Sequence, residues 1–182
     1  QERSGDLKGA KGRNAPADTV RIMSIHRSKG LQFPVTIVAG TSKAFNKQDL
    51  RQRTCIHARL GLSGVRVGGS RDDRLSTLPH EALKIAGWKD AADEELRMLY
   101  VAATRAESLL IFTAAFADPD RELARAAVAL PGDERVLPPY VLLSAGSSAQ
   151  WLLSAFLRHP DASGLRAAAG TDVSVLPAEG HV

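Results

Sequence analysis

A helical pattern that runs directly into an apolar run is the feature that most constrains the fold of this 182-residue chain. Residues 93–107 begin with three acidic side chains, which suit the positive amino-terminal end of a helix. Four small or apolar side chains then recur at the spacing of one buried helical face: Leu96, Leu99, Ala103 and Ala106. The apolar segment 109–115 follows and predicts a buried strand. A helix that leads straight into a strand favours an α/β fold.

Two apolar runs upstream also predict strands. Residues 20–25 are rich in β-branched and apolar side chains, and residues 35–39 form the continuous run expected of a strand buried on both faces of a parallel sheet. The segment 26–34 is too long for a tight hairpin and too short for a crossover helix, so we expect a loop with one helical turn. The sheet is therefore predicted to be mainly parallel. Further helices are predicted at 79–92, 121–129 and 150–157.

The ends of the chain differ in composition from this central part. Residues 1–18 are polar with one sizeable hydrophobe, Leu7, and predict a linker or the stub of a preceding domain. Residues 118–182 predict a helical extension, interrupted by the Pro-rich segment 137–140 and weakly ordered after Ala169. The chain opens with Gln1 and has no signal pattern, so we interpret it as a piece of a longer polypeptide.

Composition excludes several classes of protein. A single cysteine, Cys55, excludes an intrachain disulfide and is compatible with the cytoplasm, where we expect the protein to reside. The longest apolar stretch, 109–117, is about half of the roughly 20 residues that a membrane span needs, so no membrane association is expected.

The positive charge is concentrated in one block. The whole chain carries a formal charge of +4, whereas residues 20–60 carry eight basic side chains and one acid, a net charge of +7. Such a block is typical of proteins that bind phosphates, although a solvated basic face has the same composition.

Several catalytic motifs are missing. The sequence has no phosphate loop ending in Gly-Lys-Ser/Thr, no Gly-x-Gly-x-x-Gly and no Gly-x-Ser-x-Gly. Its five histidines lack metal-ligand spacing, and with one cysteine we expect no metal site. The sequence does not encode a complete nucleotide hydrolase or metalloenzyme.

One candidate site is the polar loop that follows the first predicted strand. Small hydroxyls, a glycine and cations there suit phosphate or sugar oxygens, and ligands of open α/β sheets bind outside the carboxyl ends of strands. The alternative is a basic surface turn in which Gly30 serves only a positive φ. The loop carries Ser24, His26, Arg27, Ser28, Lys29 and Gly30.

A second candidate is Arg105, predicted near the carboxyl end of the helix 93–107. Such an arginine could stabilise charge on a transferring phosphoryl group, as an arginine finger does. Alternatively, Arg105 compensates the helix dipole and Arg97 pairs with Glu94.

Together the two segments resemble a known family. VRIMSIHRSKGLQFPVTIVAG (20–40) is similar to motif V of the UvrD-type superfamily 1 DNA helicases, and EELRMLYVAATRAESLLIFTAA (94–115) is similar to their motif VI. Weaker similarities at 39–62, 78–79 and 137–162 extend the resemblance to the AddA subunit of the bacterial AddAB helicase-nuclease, over about residues 19–166.

The resemblance implies that residues 19–117 are the second RecA-like motor domain, a parallel sheet flanked by helices. Arg105 would then reach the γ-phosphate of ATP, which with Mg²⁺ is bound mainly by a first RecA-like domain. Gly30 and Gln32 would lie at the nucleotide, where Gln32 replaces a glutamate that contacts the ribose and so lacks its charge. The DNA-binding residues implied are Ser24, His26, Arg27 and Lys29, with serine in place of the commoner threonine. Tyr100 is interpreted chiefly as packing.

The function implied is part of an ATP-dependent 3′–5′ DNA helicase that unwinds DNA in double-strand break repair and recombination. Its partners would be single-stranded DNA and the duplex junction, the first RecA-like domain of the same protein and an AddB-type subunit, with a nuclease domain downstream. Without its own phosphate loop, the chain alone is expected not to hydrolyse ATP. The alternatives are a fragment of a UvrD- or RecB-type helicase and a non-catalytic nucleic-acid-binding module.

Overall fold

A long helix that leads into a two-stranded parallel sheet organises the fold. The computed structural model describes residues 19–68, 74–128, 136–171 and 175–176, so the predicted linker 1–18 lies outside the described residues. The strands are β1 (Phe33–Val38), β2 (Thr54–His57), β3 (Gly61–Gly64), β4 (Arg66–Val67), β5 (Arg74–Leu75) and β6 (Ala106–Phe112). The helices are α1 (Leu78–Ala103), α2 (Pro119–Val128), α3 (Pro139–Ser144), α4 (Ser148–Phe156) and α5 (Ser163–Ala169).

Helix α1 replaces the two helices predicted at 79–92 and 93–107. Its amino end is capped by Thr77, whose hydroxyl accepts the His80 N–H at 3.3 Å. Hydrogen bonds from the Ser76 hydroxyl and the Lys84 ammonium lower the pKa of Glu81 in this first turn. No Gly or Pro interrupts residues 88–103, so the helix continues past the predicted boundary.

Helix α1 ends earlier than predicted. Thr104 is its C-cap and its backbone N–H bonds the Tyr100 carbonyl at 3.0 Å, so Arg105 lies in the turn after the helix and not within it. Ala102 is buried, but Leu96 is 41% exposed and Tyr100 is 69% exposed. The interpretation of Tyr100 as a packing residue was therefore wrong.

The parallel sheet pairs β1 with β6. Val35 lies beside Leu109 and Ile37 beside Ile111, which confirms two of the predicted strands and their parallel direction. Burial on both faces was a wrong prediction, because Val35, Ile37 and Leu109 are 51%, 59% and 50% exposed. Within the described residues, this face of the sheet has no covering layer.

The strand predicted at 20–25 does not form. Val20 and Ile22 are more than 90% exposed, and the segment before Ile25 pairs with no described strand. A β-rich sequence forms a ladder only where a partner strand accepts its hydrogen bonds. The predicted helical turn in the loop is confirmed as a 3-10 turn, Ile25–Ser28. The coarse α/β class therefore holds, with a two-stranded parallel sheet, and the RecA-like arrangement stays a prediction.

The C-terminal extension packs on the rest of the molecule through an aromatic cluster. Phe45 lies 5.9 Å from the Trp88 ring and 4.7 Å from the Trp151 ring, which joins the loop after β1 to α1 and α4. The two indole N–H groups donate to the Leu143 and Leu142 carbonyls. Helices α2 and α4 confirm two predictions, whereas α3, with Pro139 at its first turn, and α5 were not predicted.

Candidate nucleotide and DNA site

The two candidate segments meet where β1 and β6 begin. The Phe33 N–H donates to the Arg105 carbonyl at 2.9 Å, which joins residues 24–32, here called the 24–32 loop, to the turn 104–105. Both strands run away from this junction in parallel. The site therefore lies at the amino ends of the strands. The predicted position at a carboxyl end was wrong, because it depended on the strand 20–25.

The Arg105 guanidinium is fixed by three hydrogen bonds. Its Nε donates to the Val101 carbonyl at 2.8 Å, one Nη donates to the Leu31 carbonyl at 3.0 Å, and the other donates to the Thr104 hydroxyl at 2.9 Å. Val101 belongs to the last turn of α1, so Arg105 satisfies a carbonyl at the end of that helix. The helix-terminal role considered from the sequence is thus present.

The same side chain keeps part of its binding capacity. A guanidinium has five N–H groups, and one on each Nη has no partner among residues that the structure describes. The side chain is half-buried, so these two donors are held in place beside the 24–32 loop. Arg97, by contrast, pairs with Glu94 at 2.9 Å, which confirms the alternative considered for it.

The 24–32 loop is ordered by its own backbone and by one buried hydroxyl. The Ser24 carbonyl accepts the N–H groups of Arg27 and Ser28, at 3.0 and 3.2 Å. Ser28 is 7% exposed and its hydroxyl donates to the Ile25 carbonyl at 2.7 Å. Leu31 closes the turn by donating to the Ser28 carbonyl. Ser28 is therefore an anchor of the loop, a role that the sequence did not reveal.

The charged side chains of this loop are available for a ligand. His26, Arg27 and Lys29 are exposed, as is Ser24, and no ion pair holds any of them within the described part of the chain. The Ser24 side chain makes no helix-capping bond. An ordered backbone thus presents a hydroxyl, an imidazole and two cations to solvent.

Gly30 and Gln32 lie between these groups and Arg105. Gly30 has φ of +81°, a left-handed conformation that favours glycine, and its missing Cβ would meet nothing within 4 Å. Gln32 is exposed and adjoins Leu31, whose carbonyl binds Arg105. The structure brings Gly30, Gln32 and Arg105 to one junction, with the proposed DNA-binding residues on the adjoining turn. Sequence reasoning missed Thr104 and the Leu31 carbonyl as supports of Arg105.

Two kinds of feature, a cluster of metal ligands and a membrane-spanning helix, are absent from the described ranges. There, no cluster of three or more His, Cys, Asp or Glu side chains has an arrangement suited to a metal ion. None of the helices described is both long and apolar enough to cross a membrane.

Comparison with known proteins gives a consistent set of similarities. The family model for the UvrD-like helicase C-terminal domain matches residues 6–116. The chain is 43% identical over 172 residues to the A subunit of the ATP-dependent helicase/nuclease of Moorella thermoacetica. The aligned region covers 93% of this chain and 12% of that protein. The proteins of the same name in Clostridium novyi and Clostridium perfringens are 37% and 38% identical over 93% and 94% of this chain, and 14% of each relative is covered. The chain thus spans about an eighth of the length of these relatives.

Proposed function

The chain belongs to the UvrD-like helicase C-terminal domain family, and on this premise we propose that it supplies an ATP-sensing arginine and part of the single-strand track of an ATP-dependent DNA helicase. The relatives are named as the A subunit of an ATP-dependent helicase/nuclease. The full-length protein is accordingly proposed to unwind DNA in the 3′–5′ direction during double-strand break repair and recombination. The observation that carries the proposal is the Arg105 guanidinium, held by three hydrogen bonds beside the 24–32 loop, with two N–H donors that have no partner among the described residues.

Arg105 is proposed to act on the γ-phosphate. Negative charge spreads over the equatorial oxygens of a transferring phosphoryl group, and prepositioned N–H donors stabilise it without reorganisation. The three hydrogen bonds fix the guanidinium plane, and the remaining donors, one on each Nη, suit two phosphate oxygens. ATP with Mg²⁺ would be held mainly by a first RecA-like domain of the same protein.

Gln32 and Gly30 are proposed to lie against the rest of the nucleotide. The Gln32 amide can donate to or accept from a ribose hydroxyl, and it does so without the charge of the family's usual glutamate. Gly30 gives the loop a left-handed turn directly before Leu31, whose carbonyl binds Arg105.

The 24–32 loop is proposed to bind single-stranded DNA. Arg27 and Lys29 would neutralise phosphates, while Ser24 and His26 would donate to phosphate or sugar oxygens. Because Arg105 bonds the Leu31 carbonyl of this loop directly, a shift of either group on nucleotide binding or release is passed to the other. This hydrogen bond would couple ATP hydrolysis at Arg105 to DNA binding by the 24–32 loop.

The remaining assignments follow from the same premise. Residues 19–117 are proposed as the second motor domain, and residues 118–182 as a helical extension that leads towards a further domain. A partner of the AddB type is proposed with it, as is a cytoplasmic location. A UvrD- or RecB-type helicase is the alternative within the family. A non-catalytic DNA-binding module is the alternative outside it, for which the exposed cations of the 24–32 loop would suffice.

The decisive experiment measures DNA-stimulated ATP hydrolysis by the full-length protein. Arg105→Lys should lower kcat by about 10³-fold or more, because a lysine cannot provide two fixed donors. Arg97→Lys, a matched change on an exposed arginine of α1, should leave kcat unchanged. Unaltered kcat in Arg105→Lys would reject the arginine-finger role.

The 182-residue chain by itself provides a second test. It lacks a phosphate loop of its own, so the purified chain should show no ATP turnover above background. ATP turnover by the chain that disappears in Arg105→Ala would contradict this division of labour between two domains.

A further inference from the structure

The hairpin formed by β2 and β3 carries a second basic surface, separate from the 24–32 loop. Residues 50–68 contain four arginines and no acidic residue. All four are exposed, and none forms an ion pair with any other residue in the described ranges. We call residues 50–68, which are the β2–β3 hairpin and its flanks, the basic hairpin. Arg51 and Arg53 precede β2, Arg59 lies in the turn, and Arg66 is in β4.

The two faces of the basic hairpin differ. Cys55 and His57 are buried at 7% exposure on the face that packs on α1. On the other face, Ile56 and Leu62 are register partners and are 81% and 68% exposed. Leu60, in the turn between the strands, is 57% exposed. Exposed aliphatic side chains on an element that also carries exposed arginines are typical of an interaction surface.

The basic hairpin is held in a fixed position on α1. The Nε2 of His57 lies 3.0 Å from an Asp90 carboxylate oxygen, and the Nδ1 accepts the N–H groups of Arg59 and Leu60 at 3.2 Å each. The Thr77 hydroxyl donates to the Gly64 carbonyl at 3.2 Å. A surface that is already ordered loses little conformational entropy when a partner binds.

We propose that the basic hairpin is a second contact surface for single-stranded DNA, with its arginines on phosphates and the Ile56–Leu62 pair against unstacked bases. The proposal rests on the proposed function, which supplies the substrate. Four unopposed arginines complement a polyanion, and phosphate neutralisation provides most of the affinity for nucleic acid. Single strands leave base faces free for apolar side chains, whereas a duplex stacks them inside, so the aliphatic pair favours the single strand.

The two surfaces lie at different levels of α1. The basic hairpin is attached at Thr77 and Asp90, whereas the 24–32 loop joins the helix end at Arg105. From Asp90 to Thr104 the helix rises about 21 Å. Changes in the two surfaces should therefore have additive effects on the free energy of binding.

The test is fluorescence anisotropy of the 182-residue chain with a labelled oligodeoxythymidine of about 20 nucleotides, between about 50 and 200 mM salt. Arg53→Gln/Arg59→Gln should weaken binding about 10-fold and reduce the slope of log K against log salt by about 1.4, the value for two phosphates on a single strand. The matched control is Arg97→Gln/Arg121→Gln, which removes the same charge from exposed arginines of α1 and α2 and should change affinity less than twofold.

Equal losses in the two double variants would mean that only net charge matters, and would overturn the proposal. The proposal would also fail if Arg53→Gln/Arg59→Gln lost affinity for a duplex of the same length but not for the single strand. It would fail as well if this variant kept full affinity for the single strand, as expected if the surface binds an acidic protein. Arg53→Lys/Arg59→Lys keeps the charge and should bind like the wild type. Ile56→Ser/Leu62→Ser should weaken binding without changing the salt slope, and unchanged affinity would reject the base contact.

His26→Ala separates this proposal from the proposed function. If His26→Ala binds normally while Arg53→Gln/Arg59→Gln is impaired, the 24–32 loop fails as a DNA contact and the basic hairpin stands. If only His26→Ala is impaired, the basic hairpin is rejected and the loop stands.

Discussion

At the scale of single residues, Arg105 satisfies the end of a helix and keeps N–H groups for the phosphate that we propose it binds. Three N–H groups bind Val101, Leu31 and Thr104, and the other two face no described partner. From the sequence alone, the helix-terminal and phosphate-binding roles of Arg105 were alternatives. The geometry makes them compatible, because the structural bonds orient the donors proposed to bind phosphate.

Gly30 gives a residue-scale prediction about the 24–32 loop. Its φ of +81° costs a residue with a Cβ about 1–2 kcal/mol, and no neighbour lies within 4 Å to add a clash. Gly30→Ala should therefore lower the free energy of unfolding by about that amount, as measured by urea denaturation. Gly164→Ala in α5, also in open space but without a positive φ, is the control and should be neutral or slightly stabilising. Equal effects of the two changes would mean that the left-handed turn is not strained by a side chain.

At the scale of elements, the sequence predicted those helices, turns and strands that depend mainly on residues within their own segment. The 3-10 turn, β1, β6, α2 and α4 follow from patterns contained within each segment. The strand 20–25 was wrong because a strand needs a partner that the pattern cannot supply, and Val20 and Ile22 remain exposed. The 24–32 loop and Arg105 remain predicted site residues, but their junction at the amino ends of β1 and β6 could not be predicted, since the Leu31–Arg105 bond is a tertiary contact.

The link between the basic hairpin and α1 gives an element-scale prediction. His57 is buried, and its loss leaves the N–H groups of Arg59 and Leu60 without their acceptor. His57→Ala should therefore cost about 1–3 kcal/mol of unfolding free energy. Asp90→Ala should cost less than about 1 kcal/mol, because the Asp90 side chain is 56% exposed. Urea denaturation of both variants checks the order, and a larger loss in Asp90→Ala would show that the contact between His57 and Asp90, not the turn, holds the hairpin.

At the scale of the whole molecule, the described residues combine a well-packed side and an open one. Phe45, Trp88 and Trp151 join the loop after β1, α1 and the C-terminal extension into one core. The sheet face with Val35, Ile37 and Leu109 remains exposed. The described part of the extension is therefore anchored on α1 through α4 and should unfold together with it.

Trp151 tests this cooperativity. The side chain is 3% exposed, lies 4.7 Å from Phe45 and donates to the Leu142 carbonyl, so Trp151→Ala removes both a large buried ring and a hydrogen bond. Trp151→Ala should lower the free energy of unfolding by about 3–5 kcal/mol. Circular dichroism and proteolytic cleavage within residues 136–171 should report the same single unfolding transition. Phe156→Ala, which removes a ring that is 42% exposed, is the control and should cost clearly less. Two separate transitions, with only the cleavage of the extension affected by Trp151→Ala, would show that the extension folds independently of α1. A single transition shifted for both probes is expected instead, because the indole ring of Trp151 is shared by the two parts.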